Sequence, residues 1–362
     1  MKKKVIGFAV FGLVLATVGG IGSAVYFPKA EKQSRTSIDE RYQVKQNNKN
    51  LELSIKGNID YRFTESSDQD IHISGKAHSV MSEQRFTWKP VESGDKTLVE
   101  VAFTETGEYQ NYIQLGFSQF VTIAIPTSFE SITINGDKDS NVNISDLKTA
   151  DLVLNIDSHD YTHLSNLTLD NLSVTAKAGS VSLDNIKAQE KVSLKGDQGY
   201  FSLYDSRAES FTVESVDGQV DLNDLTGDST VKTEGGFVTL ASLKGKTSVE
   251  TIDGYIDWED SKLTDDLQVK TTSGNIRINL ERRPNNFTIT TKSNNGTVRL
   301  FGKEKKSLKK GSGGPTLTLE SLHGDIRVDD EDSEYDEYTD DDFDETLDDV
   351  ENEITNAIEN NF

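Results

Sequence analysis

The chain has 362 residues and no cysteine, which excludes disulfides, thiolate nucleophiles and cysteine-ligated zinc or iron–sulfur centres. Its net charge of -23 argues against direct nucleic-acid binding, which needs basic patches on phosphate. Of that charge, -17 lies between Asp329 and Phe362, where there is no Lys or Arg, and -6 is left for the rest.

Met1-Lys2-Lys3-Lys4 precedes an uncharged apolar run from Val5 to Phe27. A helix crossing a bilayer needs roughly 20 such residues. Residues 1–28 are therefore expected to be a signal anchor. The lysines would be cytoplasmic and the rest extracytoplasmic, a single-pass arrangement in the cell membrane. The Gly22-Ser23-Ala24 triplet leaves a cleaved signal peptide as the alternative. Residues 29–49 are polar and charged and read as a linker. From 50 to 118, segments such as Leu51–Ile55, Ile59–Phe63 and Leu98–Phe103 alternate with period two. That pattern predicts antiparallel strands, taken as a β-rich cap on residues 119–328.

Residues 119–328 repeat. Phe120–Pro126 opens the repeat, and its anchors are Ser140, Asp160, Gly179, Gly199, Gly218, Gly236, Gly254 and Gly274, spaced 18 to 20 apart, then Gly296 and Gly324. After each anchor runs a skeleton such as Gly218-Gln-Val-Asp-Leu222 or Gly236-Phe-Val-Thr-Leu240. A fixed period in this range signals a solenoid. The expected fold class is all-β: a single-stranded β-solenoid of about ten coils, roughly 50 Å long at the usual strand spacing. Residues two and four after the anchor (Val181/Leu183, Val220/Leu222) should face inward, and those one and three after should face out. The anchor glycine supplies a turn of positive φ. A second corner carries Asp146, Asn166, Asn185, Asp205, Asp224, Ser242 and Asp260, small polar side chains suited to hold a turn.

The period breaks at Lys303–Gly314, with lysines at 303, 305, 306, 309 and 310 and a glycine-rich end. This reads as a flexible basic surface loop. Residues 329–362 read as a largely disordered acidic tail. At its far end Leu347, Val350, Ile354 and Ile358 fall at helical spacing.

Few residues suggest chemistry. His159 and His163 are four apart, but in a strand–turn segment, where that spacing does not converge on a metal. His72 and His323 show no obvious partner. Leu243–Thr247 ends like a phosphate loop but lacks the first glycine and a following helix. Asp221 and Asp257 share an outward row two coils apart, and solvated charges explain them better than a glycosidase pair does. No catalytic residue, metal or cofactor is assigned. The outward places offer one positive hint. Tyr161, Tyr200, Phe237 and Tyr255 directly follow their anchors, and Arg277, Arg299 and Arg327 stand three after theirs. Such a face can bind glycan rings or an extended chain. The plainer reading is stacking that supports the turns.

The apolar leader, the Val121–Pro126 opening and the Gly-x-Val-x-Leu coils resemble the putative-adhesin β-strand-repeat family of bacterial envelope proteins, which includes LiaG-type members. The resemblance covers about residues 50–328. It implies a membrane-attached extracytoplasmic β-solenoid, tied in some members to envelope-stress sensing, with no agreed catalytic residues. The expected function is non-enzymatic: a surface binding or sensing protein whose partners would be a cell-wall polymer, a cationic peptide or an envelope protein, and no nucleic acid. The acidic tail is expected to pair with Lys303–Lys310 and the arginine row. The alternatives are a cell-wall glycan-active β-helix enzyme and a self-assembling envelope scaffold.

Overall fold

The computed structural model describes residues 17, 19–20, 35–45, 47–78, 83–106, 120–157, 161–331 and 333. The predicted anchor falls almost wholly outside them, as do His159, Asp160 and the tail beyond Ser333. Among the described residues no helix is long and apolar enough to cross a membrane.

The rest is β-structure. The N-terminal part holds β1 (Arg35–Gln43), β2 (Asn50–Lys56), β3 (Ile59–Glu65), β4 (Asp70–His78), β5 (Glu83–Ser93), β6 (Lys96–Thr106) and β7 (Phe120–Ile125). The middle holds β8 (Ser131–Gly136), β9 (Ser140–Ser145), β10 (Asp151–Ile156), β11 (Tyr161–Ser165), β12 (Thr168–Ala176), β13 (Ser180–Asp184), the long β14 (Lys187–Ala241) and β15 (Thr247–Ser261). The C-terminal part holds β16 (Leu267–Thr271), β17 (Ile276–Leu280), β18 (Phe287–Ser293), β19 (Val298–Leu300), β20 (Lys303–Glu304), β21 (Ser307–Lys310), β22 (Thr316–Ser321) and β23 (Ile326–Asp330).

Each coil gives one extended run to each of two rows, with β14 and β15 continuous around their corners, and successive coils pair in parallel, in register but for shifts at Leu169/Asn171 and Trp258/Ser261. β8, β10 and β12 stack in one row, and β9, β11 and β13 in the other. Strands alternate buried and half-exposed positions, as in β7, β10 and β13. The inward aliphatics Val181, Leu183, Val220, Leu222, Val238 and Leu240 are at most 1% exposed. They form the expected thin core. Aromatic rings close its ends: Tyr61, Phe86 and Phe103 at one, Phe287 and Phe301 at the other.

The glycine column sets how closely coils approach. A Cβ on Gly274 would overlap the Gly254 carbonyl oxygen, one on Gly324 that of Gly274, and one on Gly296 that of Gly324. Positive φ is the reason for glycine only at the earlier places, such as Gly199 (φ 141); at 254, 274, 296 and 324 the reason is this close approach. A hydroxyl three residues before the glycine completes the turn. Ser321 Oγ accepts the Gly324 N–H at 2.8 Å and donates to the Gly274 carbonyl at 2.8 Å. Ser293 Oγ serves Gly296 and Gly324 in the same way at 2.9 and 3.0 Å.

The second corner is as expected at Asp146, Asn166, Asn185, Asp205, Asp224 and Ser242, all near φ 50. Their side chains bond along the column: Asn166 Nδ2 donates to Asp146 Oδ1 at 3.1 Å and Asn185 Nδ2 to Asn166 Oδ1 at 2.7 Å. Around the seventh place, Asp260, the ladder shifts register between Trp258 and Ser261.

Both ends depart from the expected sequential stack. The region 50–118 is not only a cap. β2 and β3 form a coil directly on β8 and β9, and β6 and β7 form another coil outside it. Antiparallel β5 on one row, and β4 then β1 on the other, finish that end. At the C-terminal end the last coil lies inside the one before it. β22 sits between β16 and β18, and β23 between β17 and β19. Charge alternation explains that order. Glu250, Lys270, Glu320 and Lys292 lie side by side on the outer surface, whereas sequential stacking would set Lys270 against Lys292. Like charges directly opposite are unfavourable.

Two further expectations are corrected here. The basic stretch is not a free loop: β20 pairs antiparallel with β19, and β21 with β18, forming the outermost strands at this end. The supposed tail begins with structural residues. Asp329 and Asp330 are 8% and 5% exposed, and Arg283 donates to both Asp330 carboxylate oxygens at 2.8 and 3.0 Å while lying 3.8 Å from the centre of the Phe301 ring. That pair fastens the inserted coil to the loop that leads into β18.

Gly274→Ala should therefore lower stability by more than about 2 kcal/mol, read as a shift of the urea unfolding midpoint. A variant that unfolds like the native chain would mean the coils need no such approach.

Candidate functional site

The candidate face is the outer side of the second row. Parallel in-register pairing turns residues at one repeat position into a straight column. Directly after the anchors, Tyr161 stands beside Ser180 and Ser180 beside Tyr200; further on, Phe237 stands beside Tyr255. The four predicted aromatics thus share a column. Tyr161 and Tyr200 are two strand spacings apart, about 10 Å.

Their surroundings differ. Tyr161 is 51% exposed and lies parallel to the His163 ring, 5.8 Å between centres. A depression of about 540 Å³ beside it is lined by Asp60, Arg62, Asn141 and Asn143. Sequence reasoning missed these, because nothing in the repeat shows that β3 lies next to β9. Arg62 is itself held 4.3 Å over the Phe120 ring. Tyr200 and Tyr204 both donate to Asp221 Oδ2, at 3.1 and 2.5 Å. Burial raises the phenol pKa of each. Phe237 and Tyr255 meet edge to face at 6.0 Å, so part of the column supports itself, as the plainer reading expects.

Three places after the anchors, Asp257, Arg277, Arg327 and Arg299 form one continuous column. The spatial order of the arginines is 277, 327, 299, again set by the inserted coil. Three stacked guanidinium groups would repel, and acids limit that cost: Asp257 at one end, Asp329 bonded to Arg327, and Glu304 opposite Arg299. Tyr255, pushed up to about 12 by burial, shares a hydrogen bond with Arg277. Burial first, and the Glu259 charge second, push Asp257 up to about 6, while Arg277 opposes the rise.

The lysines at 303, 305, 306, 309 and 310 do not join this face. They are exposed on β20, β21 and the link between them, at the end of the stack. Two histidines that seemed isolated have partners: His72 Nε2 meets Asp68 Oδ1 at 2.8 Å, and His323 Nδ1 meets Asn295 Nδ2 at 3.0 Å. Asp68 lies at about 2, lowered by the Asp70 backbone N–H and His72.

A second open groove, about 500 Å³, runs along the other row under Lys195, Glu214, Lys232, Glu250 and Lys270. Its charges alternate from coil to coil, with ion pairs Lys195–Glu214 at 3.5 Å and Lys270–Glu250 at 3.7 Å. Exposed Val216 and Ile252 lie along it. With Asp197 and Glu234, which also line it, the groove sets three lysines against four carboxylates, a near balance that leaves little net charge for a ligand.

This architecture is an all-β, solenoid-like stack of parallel coils. Residues 48–329 match the Toastrack DUF4097 family model, and the chain belongs to that family. No curated protein matches it. Among solved structures it is similar to a putative adhesin from Parabacteroides merdae, at 13% identity and TM-score 0.41 over 82% of this chain and 96% of that one. It is also similar to a putative adhesin from Bacteroides fragilis, at 14% identity and TM-score 0.34 over 81% and 97%. A putative cell adhesion protein from Clostridium sporogenes aligns at 9% identity and TM-score 0.28 over 82% and 100%.

Asp257 gives a pH test. Its folded pKa of about 6 exceeds the unfolded value of about 3.9, so the native state holds its proton longer. Its contribution to stability is full below pH 4 and is lost as pH rises through 6. Asp257→Asn should gain stability relative to the native chain across that window, measured by urea unfolding at pH 4, 5, 6 and 7. A constant difference across the series would contradict the assignment.

Proposed function

We propose that this chain is a non-enzymatic surface binding protein of adhesin-like type, tethered to the cell membrane through residues 1–28, with its coils extracytoplasmic. Its ligand is an extended cell-wall polymer lying along the second-row face. The observation that carries this reading is the straight column of outward aromatics, set two coils apart at Tyr161 and Tyr200 and bordered by Asp60, Arg62, Asn141 and Asn143. Aromatic faces stack on the C–H faces of sugar rings, and short polar side chains beside them take the ring hydroxyls. Further along, the arginine column suits polymer segments that carry phosphate.

The finish of both ends opposes a self-assembling scaffold. β5 carries Pro90 on an outer edge, and β20 and β21 carry exposed lysines. Pro and Lys are devices that block edge-to-edge pairing.

One observation favours a second reading, a glycan-cleaving enzyme: the raised pKa of Asp257, in the range of a general acid. The two readings separate in one assay. Full chain in detergent is mixed with purified insoluble cell wall, and bound protein and released sugar are both measured. Binding without release of reducing ends is expected. Tyr161→Ala and Tyr200→Ala should each weaken binding by roughly fivefold. Reducing ends that appear with the native chain and not with Asp257→Asn would establish the enzyme instead. Binding indifferent to both tyrosines would remove the proposed face.

A further inference from the structure

Seven lysines, Lys49, Lys56, Lys177, Lys195, Lys244, Lys262 and Lys270, each meet a carboxylate within 4.0 Å, and lysines without such a partner among the described residues, Lys187, Lys232 and Lys292 among them, are scattered along the coils. The end of the stack instead gathers five within eight residues. Lys303, Lys305, Lys306, Lys309 and Lys310 are all exposed, and none of them enters an ion pair among the described residues. Their cross-strand neighbours give no relief: Lys310 stands opposite Phe287 and Lys309 opposite Thr288. Glu304 is the one acid within residues 303–310. The backbone of the basic rim is held by β20 and β21, so its lysines stay gathered at this end.

The chain's own missing counter-charge starts next to it. β23 leads out of the fold at Asp330, where Ser333 Oγ bonds the Asp330 carboxylate at 2.6 Å. Val328 lies opposite Leu300 and Leu300 opposite Lys303, two strand spacings or about 10 Å. Residues 334–362 come next, with 13 Asp and Glu and no Lys or Arg. Extended, those residues span up to about 100 Å, so reach is no constraint. Insertion of the last coil has a direct consequence here. Because β22 and β23 lie inside β18 and β19, the acidic segment leaves the fold beside the rim.

We infer that the basic rim of β20 and β21 is a docking surface for the acidic C-terminal segment of the same chain, residues 334–362. The contact is multivalent and electrostatic. Tethering holds the segment at an effective concentration in the millimolar range, so weak single contacts suffice. Ions screen such contacts beyond about 8 Å at physiological strength, and the docked state opens as salt rises. While docked, the segment excludes other polyanions from the rim. This inference does not rest on the aromatic face and stands or falls separately.

The test uses full chain in detergent and a zero-length carbodiimide, which joins only amines and carboxylates in contact. Mass spectrometry should find links from Lys303–Lys310 to acids within 334–362. Light and heavy isotope mixtures should show that they lie within one chain, and the links should fade several-fold in molar salt. In a chain ending at Ser333, amide exchange across Ser307–Lys310 should rise several-fold while exchange in β16 and β17 stays constant, which controls for folding. A short polyglutamate probe should bind that truncated chain and bind the full chain at least several-fold more weakly. Lys305→Glu combined with Lys306→Glu, Lys309→Glu and Lys310→Glu should abolish the links. Links only between chains would make a second copy the occupant and overturn the inference. Rim exchange indifferent to truncation, or equal binding of the probe to both chains, would also overturn it.

Discussion

Backbone packed on backbone at one corner of the coils from Gly199 onward is the constraint the rest depends on. At the glycine place the carbonyl of one coil occupies the volume where a side chain of the next would begin. Glycine is required there because space is lacking, and only at the earlier coils because φ is positive. Once the corner is this close, coils stack at strand spacing and almost entirely in register, and position within the repeat decides everything else. Aliphatics two and four places on form the core. At the last two coils a Ser three places earlier satisfies the glycine N–H and the neighbouring carbonyl. Residues one and three places on become straight columns on the surface. A recognition face is therefore a by-product of the packing rule, open to whatever side chains those columns carry.

A parallel stack has two open ends, and unpaired edges invite association. Both ends are finished in the same way. The terminal coil of the repeat lies one place in, the neighbouring coil lies outside it, and antiparallel strands lie outside that. At the C-terminal end the pair of half-buried Arg283 and buried Asp330 holds the arrangement. Removal of Arg283 would strand the Asp330 carboxylate in a poorly solvated place, which is why breaking such a pair costs more than its net contribution.

Much of this was legible in the residues. The period, the inward aliphatics and the polar corner follow from repeat spacing, and six of the seven corner residues adopt the left-handed conformation. A hydroxyl three places before the glycine was present in the sequence for the last six anchors, as Ser215, Thr233, Thr251, Thr271, Ser293 and Ser321, and went unread, since Ser and Thr are abundant throughout. The order of the last two coils was written in the alternation of Glu250, Lys270, Glu320 and Lys292, a signal visible only once strands are compared across a gap of 50 residues. β2 and β3 carry no anchor glycine of the usual form, so their place in the stack had no local mark. On the face, the aromatic and arginine columns were legible because they follow the repeat. The polar border at Asp60 and Arg62 was not, because it depends on which coil lies next to which.

The central claim is the stacking order, with the last coil inserted between coils that precede it in the chain. Lacking any cysteine, the chain allows a direct measurement by engineered disulfides. Neighbouring strands lie within bridging distance, about 4.8 Å against a usual Cα separation of roughly 4.4–6.8 Å, and second neighbours do not. Lys270→Cys with Glu320→Cys is the adjacent pair, and Lys270→Cys with Lys292→Cys the pair with one strand between. Mild oxidation and then thiol counting should close the first pair and leave the second open. Closure of the second pair with the first left open would show that the coils stack in chain order, and the account of both the arginine column and the basic rim would fall with it.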